Sequence, residues 1–98
     1  MAMTEQRLAD DEIRKALGQV PDWELLRNSI RREFKFANFD QAMDFVNKVA
    51  EVARKMDHHP DICIYYNRVD LELSTHKAGG LTGEDFELAA RINEISEQ

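Results

Sequence analysis

Three histidines are the side chains of this 98-residue chain best suited to moving protons, and two of them are adjacent. His58 and His59 stand in KMDHHPDICIYYN, directly ahead of Pro60, and His76 closes LSTH beside the glycines of KAGGL. Four uses of such a set compete. The pair could simply end a helix, where the dipole favours imidazole. It could bind a metal, but adjacent histidines in a turn project in different directions, and no His-x-x-x-His or Cys-x-x-Cys spacing supports a site. It could activate Cys63 or Ser74 as a nucleophile, yet Cys63 lies in an apolar run that reads as buried, and no nucleophile elbow is present. The fourth use is general acid–base catalysis, since an imidazole can hold or release a proton at cellular pH. That use requires the 58–59 loop and His76 to meet, with Asp85 available to orient one ring.

The surrounding pattern supplies elements that could bring them together. Asp10 reads as the N-cap of a short helix carrying Ile13, Ala16 and Leu17, which Gly18 and Pro21 end. A brief apolar run at 23–26 and a turn at Arg27, Asn28 and Ser29 lead into an alternating strand over 30–36, where only Arg32 breaks the apolar face. The second helix, over 38–56, starts with Asn38 and Gln41 in capping-box spacing. It carries Ala42, Phe45, Val46, Val49, Ala53 and Met56 as one apolar stripe. Pro60 requires the chain to have left the helix by His59. A second hairpin follows, with Ile62, Ile64 and Tyr66 on one face, a turn at Asn67 and Arg68, and Val69, Leu71, Leu73 and Thr75 facing inward. KAGGL reads as a flexible connector. Thr82 caps the last helix with Asp85 three residues on, and Leu81 is placed to staple against Phe86. The order α-β-β-α-β-β-α predicts an α+β fold: a four-stranded, mostly antiparallel sheet with helices packed on one face. Arg31, Glu33, Lys35, Tyr65, Asp70 and Glu72 would fall on the other face.

Composition narrows the function classes. Hydrophobic residues make up 43% and charged residues 33%, which fits one domain over residues 1–98, with 1–7 as a loose terminus. A net charge of -6 argues against nucleic-acid or anionic-membrane binding, although Arg27, Arg31 and Arg32 form a local basic cluster. One cysteine cannot form an intramolecular disulfide, and no apolar run approaches the length of a membrane span. The expectation is a cytoplasmic protein.

KMDHHP, then YN, then LSTH, then AGGLTGEDFELA together resemble the pterin-4a-carbinolamine dehydratase family, also known in animals as dimerisation cofactors of a homeodomain transcription factor. The likeness extends over about residues 8–95 and includes Trp23 ahead of the first hairpin strand. The resemblance implies a hydro-lyase that removes water from a 4a-hydroxytetrahydropterin to give quinonoid dihydropterin. That product is recycled for aromatic amino acid hydroxylases. Pterin is then the substrate, and no cofactor or metal is expected.

Carried over by position, the resemblance implies His58 and His76 as the acid–base pair and His59 as a substrate-positioning residue. It implies Asp85 as the acid that hydrogen-bonds within the site. Ser74 and Thr75 would lie at the polar edge of the pterin, where backbone groups could make the contact, and Trp23 at the pocket rim or in the core. Many members carry an acid four residues before the first histidine. Here that residue is Arg54, and Glu51, one helical turn earlier, could take its place. Family members assemble through strand edges and helix faces, so the resemblance also implies a homodimer or homotetramer. The competing function is a non-catalytic pterin-binding or protein-interaction module, which would not need the histidines.

Overall fold

The computed structural model describes residues 6–97. Residues 1–5 of the expected loose terminus therefore lie outside the described residues. The elements run α1 (Asp10–Leu17), β1 (Glu24–Leu25), β2 (Ile30–Lys35), α2 (Phe39–Met56), β3 (Asp61–Tyr65), β4 (Arg68–Leu73) and α3 (Gly83–Ser96), with a 3-10 turn at His76–Ala78. The strand order is β1-β2-β4-β3, and every neighbouring pair is antiparallel. β2 and β3 therefore point the same way with β4 inserted between them. α2 makes the crossover that joins them, so no adjacent pair in the sheet is parallel.

Alternation decides which face is buried. Ile30 and Phe34 of β2 and Val69, Leu71 and Leu73 of β4 face the helices and form one core cluster with Ala42, Phe45, Val46 and Val49 of α2 and Leu88, Ala89 and Ile92 of α3. Arg32, the break in the pattern, lies on this same face at its margin. Its guanidinium sits 4.4 Å from the Phe34 ring centre, and its Nη1 donates to Asn93 Oδ1 at 2.6 Å. The outer face carries the expected charges in register, with Arg31 against Glu72 and Glu33 against Asp70. Arg31 pairs with Asp70 at 3.1 Å and with Glu24 at 3.5 Å.

Several expectations shift. The N-cap of α1 is Ala9 rather than Asp10, because the Glu12 carboxylate reaches back to accept from the Ala9 N–H at 2.8 Å. The second hairpin turns at Tyr66 and Asn67, one residue earlier than the composition suggested, with Tyr66 at φ 57. Cys63 is exposed, not buried. It lies on the outer face of β3, the edge strand, which the helices do not cover.

The sheet registers place three connections at one end. Leu25 pairs with Ile30, Ile30 with Leu73, and Asp61 with Glu72. The β1–β2 turn, the exit of β4 and the entry to β3 therefore share that end, and they carry the candidate chemistry.

Candidate active site

The end of α2 sets His58. Asp57 caps the helix in the left-handed region at φ 53, a conformation that Asp tolerates better than most residues. Its N–H donates to Arg54 O at 3.2 Å, and the next N–H, of His58, donates to Ala53 O at 3.0 Å. This double closure ties the His58 backbone to the last helical turn. The ring then turns inward and is 8% exposed, whereas His59 stays exposed.

Asp85 is set by the start of α3. Thr82, its N-cap, donates its N–H to Asp85 Oδ2 at 2.9 Å, half of the expected capping box. The same Oδ2 accepts from Thr75 Oγ1 at 2.9 Å. Oδ1 meets His58 Nε2 at 2.5 Å, and Asp85 is 0% exposed. Thr75 and Thr82 join their hydroxyls at 2.8 Å. A fully buried carboxyl group is tolerable only with its polar atoms partnered, and here Oδ2 accepts two hydrogen bonds while Oδ1 meets the His58 ring.

The 77–81 segment, which reads as a flexible connector, is a built turn. Thr75 N–H donates to Gly80 O at 2.9 Å, and Gly79 takes φ 75, which glycine adopts without a steric cost. This turn holds His76 at the mouth of a cleft of about 230 Å³ lined by Asp57, His58, His59, Ser74, Thr75, His76 and Lys77.

The three histidines, Ser74 and Thr75 are thus brought to one cleft, with Asp85 behind its wall. The Thr75 hydroxyl is engaged with Asp85 and Thr82 rather than free in the cleft. Trp23 is not brought there. It is 4% exposed in the core, its Nε1 donating to Asn93 Oδ1 at 2.8 Å. Neither Arg54 nor Glu51 lines the cleft; both are exposed on α2. The acid that does line it is Asp57, which neither the motif spacing nor the resemblance singles out. Its position directly before His58 was the available signal. Thr82 reads in the sequence only as a cap, although its three-residue spacing from Asp85 ties it to the same carboxylate.

The family model for pterin 4 alpha carbinolamine dehydratase matches residues 6–95. The chain belongs to that family. A family protein of Sulfolobus acidocaldarius, provisionally named a pterin-4-alpha-carbinolamine dehydratase, is 51% identical over 89 residues, covering 91% of this chain and 98% of its own. One of Chloroflexus aurantiacus with the same provisional name is 56% identical, covering 91% and 96%. Among solved structures, the transcriptional coactivator/pterin dehydratase of Brucella melitensis superposes with a TM-score of 0.89 at 39% identity, covering 93% of this chain and 99% of that one. A pterin dehydratase-like protein identified as a RuBisCO assembly factor in the alpha-carboxysome superposes at 0.62 with 19% identity, covering 76% and 86%. At that distance it shows the shared fold alone.

Proposed function

We propose that this chain dehydrates a 4a-hydroxytetrahydropterin by histidine acid–base catalysis. The observation that carries this reading is the cleft itself: His58, held at Nε2 by buried Asp85, faces the same space as His59 and His76. Family membership supplies the class of substrate.

The reaction breaks the C4a–O bond and the N5–H bond and forms a C4a=N5 double bond. Hydroxide leaves poorly, so a proton must reach the departing oxygen while another leaves N5. With Thr75 and Thr82 donating to Asp85 Oδ2, the carboxylate acts as an acceptor at Oδ1 as well. His58 Nε2 then carries the hydrogen, and Nδ1 is the nitrogen able to take the N5 proton, the same division of labour as in other Asp-held histidine bases. His76, exposed on its turn, is the donor to the 4a oxygen. His59 orients the ring system. The net change is loss of one water, with no change of oxidation state.

The expected setting is the cytoplasm, recycling the pterin of aromatic amino acid hydroxylases. A homodimer or homotetramer is part of the same reading. The outer edge of β3 pairs with no described strand, and Ile64, Tyr65 and Tyr66 stand exposed on or beside it. Light scattering on the purified chain reads the assembly directly.

The decisive test follows the decay of enzymatically generated 4a-hydroxytetrahydropterin by absorbance. Wild type should outpace the spontaneous reaction, and His58→Ala and His76→Ala should each lose about a hundredfold or more. Wild type that binds pterin but leaves the spontaneous rate unchanged would make the binding-module reading the better one.

A further inference from the structure

The histidine cleft opens beside a larger one. A cavity of about 450 Å³ lies between the β1–β2 turn and the 79–80 glycines, and it shares Ser74, Thr75 and His76 with the histidine cleft. Arg27, Asn28 and Ser29 form its far wall. A ligand seated on the histidines and carrying a side chain therefore has a continuous path to that turn.

Of the basic cluster Arg27, Arg31 and Arg32, two members are neutralised: Arg31 by Asp70 and Glu24, and Arg32 by Asp22 at 3.7 Å. Arg27 has no carboxylate within 4.0 Å among the described residues, and neither has Arg7. Yet the fold brings both to one place. Leu8 N–H donates to Leu81 O at 2.8 Å, which pins the N-terminal segment beside the glycine turn. A Cβ on Gly80 would lie 2.8 Å from Arg7 Cδ, so the stem of Arg7 crosses Gly80 at a distance only glycine permits. Arg7 and Arg27 then line a second cavity, of about 360 Å³, that shares Arg27, Asn28 and Gly80 with the first. Two acids touch this region. Glu72 accepts from Ser29 Oγ at 2.7 Å, and Asp10 lines the second cavity at the start of α1. Both arginines are exposed, so water screens their mutual repulsion, but two guanidiniums without a carboxylate partner line one cleft, and the planar guanidinium suits phosphate or carboxylate.

We propose that this cleft is a subsite for an anionic group on the pterin side chain, a phosphate or a carboxylate, held by Arg27 and Arg7. This rests on the pterin reading of the histidine cleft, and it makes the preferred substrate an acid-tailed pterin rather than one with a neutral hydroxylated tail.

Binding separates the two ideas, because it needs no turnover. Pterin fluorescence would be titrated with three ligands: a pterin with a phosphate ester on a three-carbon C6 side chain, its carboxylate counterpart, and the neutral alcohol. Wild type should bind at least one acid-tailed ligand about tenfold or more tighter than the alcohol. Inorganic phosphate should compete with that ligand but not with the alcohol. Arg27→Gln should remove most of the preference and leave affinity for the alcohol unchanged. Gly80→Ala, which pushes Arg7 aside while adding one methyl group, should reduce it as well. Equal binding of acid and neutral tails by wild type overturns the subsite, as does a preference that survives the Arg7→Gln, Arg27→Gln double variant. Loss of dehydration with an intact, Arg27-dependent preference would overturn the catalytic reading and leave the subsite standing.

Discussion

His58 Nε2 and Asp85 Oδ1 meet at 2.5 Å although 27 residues separate them, and the carboxylate has no solvent exposure. The closure at the C-terminus of α2 aims the ring, and the cap of α3 aims the acid. Asn at position 85 keeps the shape but not the donor accounting. Its amide must put NH2 toward either His58 or the Thr75 and Thr82 donors. Toward His58, it forces Nε2 to accept and moves the ring hydrogen to Nδ1. Asp85→Asn should therefore lower kcat by roughly 10²-fold or more with KM little changed. Stability should fall by about 1–3 kcal/mol from the mismatched buried donors. Stopped-flow dehydration with urea unfolding measures both; unchanged kcat would reduce the pair to a structural contact.

Thr75 separates substrate binding from positioning. The resemblance places it at the polar edge of the pterin, where its backbone could make the contact, and its hydroxyl bonds Asp85 at 2.9 Å and Thr82 at 2.8 Å with the residue 5% exposed. If its task is to hold Asp85, Thr75→Val should lower kcat, leave KM near wild type and cost about 1–2 kcal/mol of stability. Thr75→Ser should restore kcat. A rise in KM alone would return Thr75 to the substrate.

Much of this was legible in the sequence because two periodicities are clean. The stripe of α2 is buried at Ala42, Phe45, Val46, Val49 and Ala53, and β4 buries Val69, Leu71 and Leu73 while its alternate residues stay partly exposed. Alternation cannot say which strand is an edge, so Cys63, in an apolar run, reads as buried although β3 is covered poorly. Motif spacing placed the three histidines and Asp85 in one region, but spacing carries no direction. It could not show Trp23 turned toward Asn93, or Asp57 rather than Glu51 lining the cleft. Asn93 itself gave no signal, since a polar residue late in a helix usually faces water.

That asparagine holds two donors at once. Its Oδ1 accepts from Trp23 Nε1 at 2.8 Å and from Arg32 Nη1 at 2.6 Å. Trp23 is 4% exposed, so its N–H has no ready access to water once the acceptor is gone. Asn93→Ala should destabilise the fold by about 2 kcal/mol. Neither cleft at the histidine end is lined by Asn93, so dehydration by the folded variant should match wild type. Chemical unfolding monitored by Trp23 fluorescence reads the first effect, and a rate measured well below the unfolding midpoint reads the second. A variant as stable as wild type would show that water or a neighbour replaces the lost acceptor.

Tyr66 occupies a backbone conformation that its side chain disfavours. It is the first residue of the two-residue turn between β3 and β4, with φ 57, and it is 70% exposed. Turns of this length favour asparagine or glycine at such a position, because a bulky side chain crowds its own backbone there. The opposing contribution is its stacking on Phe39, with ring centres 6.4 Å apart. That contact is long, and Phe39 is itself 44% exposed, so the backbone term should dominate. Tyr66→Asn is therefore expected to raise stability by about 0.5–1 kcal/mol, a shift of several degrees in Tm for a domain of this size. Phe39→Ala made alongside it separates the two terms. If the stack were the stronger, both variants would melt below wild type.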